Sequence, residues 1–230
     1  MNNIITLDKI SKFFLTNKKI TVLNKISYKF KKGKIYSLVG PSGSGKSTLL
    51  NLLSLIDKPS KGSIKIANKN VNFSDSISND ITRANKIGII YQQNNLLPDF
   101  TALENVYLAR LSIDNNKNKA VDDANKIINK MGLSKRVDHY PSELSGGEMQ
   151  RIAIARALIN EPEIILADEP TGSLDQSTAK EVFKILYKLK NLNRSIIYAT
   201  HNRFFANMAD CKLEMIDGNI KTINARTRKS

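Results

Sequence analysis

The chain has 230 residues, of which 41% are hydrophobic and 25% charged, as is typical of a globular protein rather than a disordered or fibrous one. No apolar run approaches the roughly 18 to 20 residues of a membrane helix, and the N-terminus lacks a secretory pattern. We therefore expect a cytoplasmic protein.

The net charge of +15 admits a nucleic-acid partner or an anionic membrane surface. Lysines are spread along the whole chain, with local clusters only at Lys29–Lys34 and Arg226–Lys229. Neither cluster is interleaved with the aromatic residues of a nucleic-acid platform. We expect no nucleic-acid partner and interpret the charge as solvated surface, with membrane proximity as a second contribution.

Short apolar stretches alternate with Asn- and Lys-rich turns from Ile4 to Phe30, which predicts a small antiparallel sheet. The aromatic pair Phe13-Phe14 lies in this region. It could fill the interior of the sheet or stack on a nucleotide base, and periodicity alone favours the interior.

A glycine-rich stretch follows the buried-strand run Ile35–Val39 and leads into a leucine-rich helix, with the spacing G-x-x-x-x-G-K-[ST]. Its residues are Gly40, Pro41, Ser42, Gly43, Ser44, Gly45, Lys46, Ser47 and Thr48. Glycines let backbone N–H groups converge on phosphate oxygens, and the helix adds the positive end of its dipole. Lys46 can reach the terminal phosphates, and the Ser47 hydroxyl can ligate Mg²⁺. This spacing is that of a P-loop, and it predicts a nucleoside triphosphate site.

The segment Asn68–Arg83 is polar, and we expect it to be irregular. A buried strand at Ile87–Tyr91 then ends in Gln92. A polar residue there is either the start of a loop or a ligand contact, because α/β sheets bind ligands at strand ends.

The sequence pattern in the middle of the chain predicts helices. The capping box Thr101-x-x-Glu104 begins one helix, and Asp122–Met131 forms a second. A third starts at a capped stretch with two glycines, which cost on the order of 1 kcal/mol each in a helix and so suggest a second phosphate contact. That stretch is Ser145, Gly146, Gly147 and Glu148.

The apolar strand beginning at Ile164 ends in the adjacent carboxylates Asp168 and Glu169. Side chains alternate across a strand, so the two carboxylates can do different work. In a P-loop protein the first would hold Mg²⁺ and the second could polarise an attacking water.

The last third of the chain contains a turn at Thr171–Asp175, a helix capped at Thr178, and a buried strand, Ser195–Thr200. His201 follows that strand, where a side chain can reach a phosphate. A hairpin about Asp217-Gly218 closes the chain.

Together these motifs resemble the ATP-binding subunit of an ABC transporter, from about Phe13 to Ile220. The matching pieces are GPSGSGKST, the loop beginning at Gln92, the signature Leu144–Glu148, Asp168-Glu169, the loop Ser173-Leu174-Asp175 and His201. The signature ends in Glu148 where many relatives have glutamine. We do not expect this difference to reduce activity.

The resemblance implies the α/β fold of an ABC-type P-loop NTPase, a mainly parallel core sheet flanked by helices. To this core are added an N-terminal antiparallel β subdomain and an inserted α-helical subdomain. The single ABC ATPase domain, 1–230, would comprise the β subdomain and P-loop part (1–92), the helical subdomain (93–160) and the remaining core with the hairpin (161–230).

The resemblance also implies roles for the site residues in binding and hydrolysing ATP with Mg²⁺. The catalytic residues would be Glu169 as general base, His201 at the γ-phosphate, Lys46 and Gln92; the Mg²⁺ ligands would be Ser47, Gln92 and Asp168. Phe14 would stack on adenine, with Phe13 as a substitute. Ser145 to Glu148 would contact ATP bound to the opposite subunit of a homodimer, and Ser173, Leu174 and Asp175 would lie between subunits.

Finer strings resemble the lipoprotein-releasing subfamily: YQQNNLLPDFTALENV, HYPSELSGGEMQRIAIARAL, LADEPTGSLD and LEMIDG. This implies a peripheral ATPase at the cytoplasmic face of the bacterial inner membrane that drives release of lipoproteins toward the outer membrane. Its integral membrane partners would be separate chains. Macrolide-export and cell-division regulatory ATPases share parts of these strings and stay alternatives.

Overall fold

The computed structural model describes residues 3–15 and 18–223, so the basic cluster Arg226–Lys229 lies outside the described residues. By compactness the chain divides into a first unit, 1–79 with 190–230, and a second unit, 80–189. The three-part division expected from the sequence stays a prediction.

The strands and helices in chain order are β1 (Asn3–Leu15), β2 (Lys19–Lys31), β3 (Ile35–Val39), α1 (Lys46–Leu53), β4 (Lys61–Ile66), β5 (Lys69–Asn70), α2 (Ser76–Lys86), β6 (Ile87–Ile90), α3 (Ala102–Leu111), α4 (Lys117–Lys130), α5 (Gly146–Leu158), β7 (Ile164–Asp168), α6 (Gln176–Lys188), β8 (Ser195–Ala199), α7 (Arg203–Ala206), β9 (Cys211–Ile216) and β10 (Asn219–Ile223). Short 3₁₀ turns at Ser134–Arg136 and Pro141–Glu143 precede α5.

The first unit contains the predicted antiparallel sheet, with strand order β2-β1-β4-β5. β1 pairs with β2 along almost its whole length, from Asn3 opposite Lys31 to Leu15 opposite Lys19. Apolar side chains such as Ile5 and Ile10 are completely buried. The expectation of a small antiparallel sheet is confirmed.

The same unit carries the parallel strands that lead to the P-loop. β3 lies between β8 and β9 and is parallel to both, and β10 is antiparallel to β9. Because β3 is central, four of its five residues are buried. The predicted hairpin about Asp217-Gly218 is formed by β9 and β10.

The second unit combines a parallel strand pair with helices. β6 and β7 run parallel from Ile87 opposite Ile164 to Ile90 opposite Ala167. The core side chains of the helices are apolar and buried, among them Val106 of α3, Ile128 of α4 and Ile152 of α5. None of the helices that the structure describes combines the length and apolar character needed to cross a membrane.

Three helix starts differ from the sequence expectation. The segment expected to be irregular contains α2, whose first turn is closed by Ser78 N donating to Asp75 Oδ1 at 2.9 Å. Its apolar residues Ile77 and Ile81, four positions apart on one helix face, are exposed in a mostly polar segment. α4 begins at Lys117, and α6 is capped by Asp175 rather than Thr178.

Candidate nucleotide site

The P-loop joins β3 to α1 through a chain of left-handed glycines. Gly40, Gly43 and Gly45 have φ of 149°, 77° and 100°. Gly45 is also the N-cap of α1, which has no side-chain cap. Successive backbone N–H groups in such a loop form a concave anion site, and the helix dipole adds to its positive potential.

The strand β2 supports the start of this helix. A Cβ atom on Gly45 would lie 2.8 Å from Leu23 Cδ2 and 3.0 Å from the carbonyl oxygen of Val22. Both the positive φ and this close approach therefore require glycine at position 45.

Lys46 and Ser44 are polar residues buried in the P-loop, 7% and 6% exposed. Lys46 Nζ donates to the carbonyl oxygens of Gly40 at 3.0 Å and Pro41 at 2.9 Å. Ser44 Oγ is buried and has no hydrogen-bond partner within the described part of the chain. A buried cation and an unsatisfied hydroxyl inside a ring of glycines fit a bound phosphate.

His201 follows β8, the parallel neighbour of β3, and both strands end at the same edge of the sheet. The Thr200 N–H donates to the Leu38 carbonyl at 3.1 Å, so β8 is bonded to β3 up to the residue before His201. The imidazole is exposed. Ser47 and Thr48 lie in the first turn of α1, and Pro41 and Ser42 are exposed in the loop.

The two aromatics of β1 differ in exposure. Phe14 is 45% exposed and pairs with Ile20, whereas Phe13 is half-buried and pairs with Thr21. The ammonium of Lys19 lies 4.3 Å from the centroid of the Phe13 ring. Phe14 therefore has more of its ring available to a ligand.

In the second unit, the ends of β6 and β7 bring three predicted site residues to one edge. Asp168 ends β7, and Glu169 has a left-handed φ of 46° that turns the chain away from the strand. Gln92 follows the neighbouring strand β6. The Gly172 N–H donates to the Glu169 carbonyl at 2.9 Å and closes the turn.

Gly172 is a site residue that the sequence reasoning missed. A Cβ atom there would lie 3.1 Å from Gln92 Nε2 and 3.4 Å from Glu169 Cβ. The missing side chain thus lets the Gln92 amide approach the turn that carries Glu169. A glycine three residues after paired carboxylates was the available signal.

The signature stretch forms a complete capping box. Ser145 Oγ accepts from the Glu148 N–H at 3.3 Å, and Glu148 Oε2 accepts from the Ser145 N–H at 2.8 Å. Arg136 Nε donates to the other Glu148 oxygen at 2.9 Å. The bond to Arg136, with the backbone bond from Ser145, lowers the pKa of Glu148 from 4.5 to about 2. The sequence pattern predicted the box but gave no sign of Arg136.

The start of α6 lies beside the signature helix. A Cβ atom on Gly147 would lie 2.4 Å from Thr178 Cγ2, and one on Gly146 would lie 3.4 Å from Leu174 Cδ2. Asp175 caps α6 by accepting from Ser177 and Thr178, and bonds from these two residues lower its pKa. The predicted inter-subunit loop, which also includes Ser173, is therefore adjacent to the signature.

Arg156 of α5 was also missed by the sequence reasoning. Its guanidinium donates to the carbonyl oxygens of Asn95 at 2.6 Å and Asn94 at 2.7 Å, which fixes the loop after Gln92. Burial lowers the pKa of Arg156. The same residue lines a groove of about 700 Å³, together with Ile81, Arg83, Ile87, Ile113 and Asn160.

The residues predicted to serve a metal offer a hydroxyl (Ser47), an amide (Gln92) and a carboxylate (Asp168). These are hard oxygen donors, the type that Mg²⁺ prefers. Among the described residues there is no group of three or more His, Cys, Asp or Glu that could hold a metal.

The sequence model of the ABC transporter family matches residues 23–172. The chain belongs to this family. A dimeric ATP-binding cassette, MJ0796, in a post-hydrolysis state bound to ADP and Pi is similar in structure, with a TM-score of 0.89 and 34% identity over 96% of this chain and 99% of that one. The ABC-type P-loop fold, nucleotide binding and ABC ATPase activity expected from the sequence are confirmed.

Curated relatives are similar over nearly the whole chain. The "Lipoprotein-releasing system ATP-binding protein LolD" of Rickettsia bellii is 46% identical, covering 91% of this chain and 93% of its own length. The proteins of the same name from Buchnera aphidicola and Cytophaga hutchinsonii are 42% and 40% identical, over 96% and 91% of this chain and 98% and 96% of their own lengths. The resemblance to the lipoprotein-releasing subfamily is confirmed.

Proposed function

We propose that the chain is the ATP-hydrolysing subunit of a transporter that releases lipoproteins from the bacterial inner membrane toward the outer membrane. The observation that carries the proposal is the P-loop, with buried Lys46 and Ser44, in a chain 40% to 46% identical to LolD proteins over at least 91% of its length. The protein would act as a peripheral subunit at the cytoplasmic face.

Within this proposal the first unit binds the nucleotide. Backbone N–H groups from Gly43 to Ser47 and the Lys46 ammonium hold the phosphates, and Phe14 stacks on adenine. His201 contacts the γ-phosphate. Its support is the pairing of β8 with β3, which brings it to the strand edge from which the P-loop starts.

The second unit supplies the hydrolytic groups. Mg²⁺, when bound, would neutralise the charge that develops on the phosphates, and Gln92 and Asp168 are the proposed ligands that this unit supplies. Glu169 acts as the general base that polarises the attacking water. The turn closed by Gly172 N–H supports this role, because it fixes the backbone from which the Glu169 side chain projects.

The replacement Glu169→Gln tests the base assignment. We expect ATP binding to be retained and hydrolysis to fall by about 10²- to 10⁴-fold, because glutamine keeps the shape of the side chain but cannot take a proton. Binding is measured by calorimetry and turnover by phosphate release. An unchanged turnover rate would refute the assignment.

Two copies of the chain would work as a homodimer, in which the signature of one copy contacts ATP bound to the other. The N-terminus of α5 suits this role because its dipole favours anions and Gly146 is exposed there. The loop Ser173 to Asp175, beside the signature, would contact the partner copy.

The groove beside Arg156 would receive a cytoplasmic segment of the integral membrane partner. Ile81 is 58% exposed and lines this groove, while Arg156 links the groove to the loop after Gln92. We expect Ile81→Glu to abolish co-purification with the partner. The matched change Leu192→Glu, at an apolar residue 92% exposed in the first unit, should leave it intact.

Reconstitution tests the substrate. The ATPase and its membrane partners are placed in proteoliposomes loaded with a lipoprotein, and release is scored with ATP and with the Glu169→Gln variant. ATP-dependent release that the variant lacks supports the proposal. ATP hydrolysis without release would instead favour a macrolide-export or cell-division regulatory ATPase.

A further inference from the structure

Lys12 of β1 is a buried lysine to which the proposed mechanism gives no role. Only 8% of its surface is exposed. An ammonium group is almost never buried without partners, so its contacts identify what holds it. Its Nζ donates to Asp57 Oδ1 at 2.7 Å and to the carbonyl oxygen of Lys58 at 3.0 Å. The structure therefore fixes this ammonium at a defined point.

The segment that holds Lys12 follows the P-loop helix α1. The Asp57 oxygen that accepts from Lys12 also accepts from the Lys58 N–H at 2.7 Å. Ser60 continues the attachment, since its Oγ accepts from the Phe13 N–H at 3.1 Å and its N–H donates to the Ser11 carbonyl at 2.8 Å. The end of β1 is thus attached to the chain that continues the P-loop.

The fixed ammonium lies against the ring of Phe14, 5.1 Å from its centroid. A cation over an aromatic ring is attracted by the negative face of the ring. Phe14 is nevertheless 45% exposed, so the ammonium leaves part of the ring open.

The register of β1 and β2 relates Phe14 to the P-loop. Lys12 lies opposite Leu23, the residue whose side chain contacts the position of Gly45, and Phe14 lies opposite Ile20 on the same strand. The exposed ring is therefore carried by the strand pair that supports the start of α1.

We infer that Lys12 is a positioning residue for the nucleotide base: its anchored ammonium holds the Phe14 ring so that the free part of the ring stacks on adenine. The inference rests on the proposed nucleotide site, including the stacking of Phe14 on adenine, and goes beyond it because it names the group that orients the ring. Lys12 acts on base affinity and does not touch the reacting phosphates.

Binding of two ligands by the full chain tests this role. ATP carries a base, and inorganic tripolyphosphate carries the same charged groups without one. We expect Lys12→Met to weaken ATP binding roughly 3- to 10-fold, the scale of a partly desolvated cation–π contact, and to leave tripolyphosphate binding unchanged. Lys12→Arg should restore ATP affinity to within about twofold.

The matched control is Lys19→Met, which removes the cation from the Phe13 ring and should leave ATP affinity unchanged. In a Phe14→Ala background, Lys12→Met should cause no further loss, because the ring that it positions is gone. Asp57→Asn tests the same role through the partner of Lys12. It should weaken ATP binding less than Lys12→Met does, and it should leave tripolyphosphate binding unchanged.

An equal loss of both ligands in Lys12→Met, or losses that multiply with Phe14→Ala, would show a merely structural lysine and overturn the inference. So would a selective loss of ATP binding in Lys19→Met. If Lys12→Met does not fold, by circular dichroism, Asp57→Asn and Lys12→Arg decide on the same readouts. Wild-type protein that binds neither ligand would instead refute the nucleotide site itself.

Discussion

We propose that the N-termini of α1 and α5 both contact phosphate, but the two N-termini are stabilised in different ways. α1 begins at left-handed Gly45 with no side-chain cap, and the neighbouring cation is Lys46 of its own first turn. α5 begins at Ser145 with a complete capping box, to which Arg136 adds an ion pair. One start depends on backbone conformation and the other on side chains.

Because of this difference, we expect the N-terminus of α1 to depend on its ligand more than the N-terminus of α5 does. Uncapped N–H groups at the end of a helix must find an acceptor, and in α1 the phosphates of the nucleotide can supply it. The first turn of α5 is stabilised from within its own chain. In the proposed dimer, that arrangement allows the signature to meet and leave the phosphate of the partner copy without unfolding.

The largest effect is expected at α1. Lys46→Ala removes the only charged side chain in its first turn, and charge-assisted bonds to phosphate are strong, so we expect ATP affinity to fall on the order of 100-fold. Calorimetric titration measures it. Lys65→Ala, at an exposed lysine of β4, is the control, and ATP affinity equal to that of the wild type in Lys46→Ala would contradict the comparison.

The two glycines of the signature differ in how closely neighbouring side chains pack against them. Gly147→Ala places a Cβ atom 2.4 Å from Thr178, whereas Gly146→Ala makes an ordinary contact 3.4 Å from Leu174. We expect Gly147→Ala to be less stable than Gly146→Ala by about 1 to 3 kcal/mol, the usual cost of overpacking. Urea unfolding measures the difference, and equal midpoints would show that α5 and α6 can move apart freely.

The capping boxes of α5 and α3 provide a matched pair. Ser145→Ala and Thr101→Ala should each lower the free energy of unfolding by about 1 kcal/mol, because each removes the acceptor for a backbone N–H. Only Ser145→Ala should also lower ATP turnover, since Thr101 has no proposed contact with ATP. Equal loss of turnover in both variants would argue against a role of the Ser145 hydroxyl at the phosphate.

The smallest effect is the pH dependence of the cap on α5. The folded-state pKa of Glu148 is lowered from 4.5 to about 2, so its contribution to stability is fully present above about pH 4.5 and is lost as the pH falls toward 2. The difference in unfolding free energy between wild type and Glu148→Gln should be at most about 1 kcal/mol at pH 6 and should shrink toward pH 3.

Urea unfolding at these two pH values measures that difference. Glu104→Gln, the same replacement in the capping box of α3, controls for loss of the box alone. A difference for Glu148→Gln that grows on acidification would show that the Arg136 pair does not stabilise the ionised carboxylate.

Sequence reasoning succeeded where a residue pattern is compatible with few local structures. The P-loop spacing, the buried strands and the Ser145 cap follow from local rules, and the structure places each where those rules predict. α2 was missed because most of its residues are polar, and the helical spacing of Ile77 and Ile81 was overlooked. Asp175 outcompeted Thr178 as a cap because it accepts from two backbone N–H groups at once.

Local sequence patterns were enough to predict the class of fold, the anion-binding loop and the carboxylates after β7, because these depend on glycine conformation, helix capping and strand burial along a continuous chain. Four contacts are visible only in the folded chain: Gly172 beside Gln92, Arg136 at Glu148, Arg156 on the loop after Gln92, and Asp57 at Lys12. Those contacts join residues 12 or more positions apart or cross between elements. Their partners are chosen by packing, on which no local pattern reports.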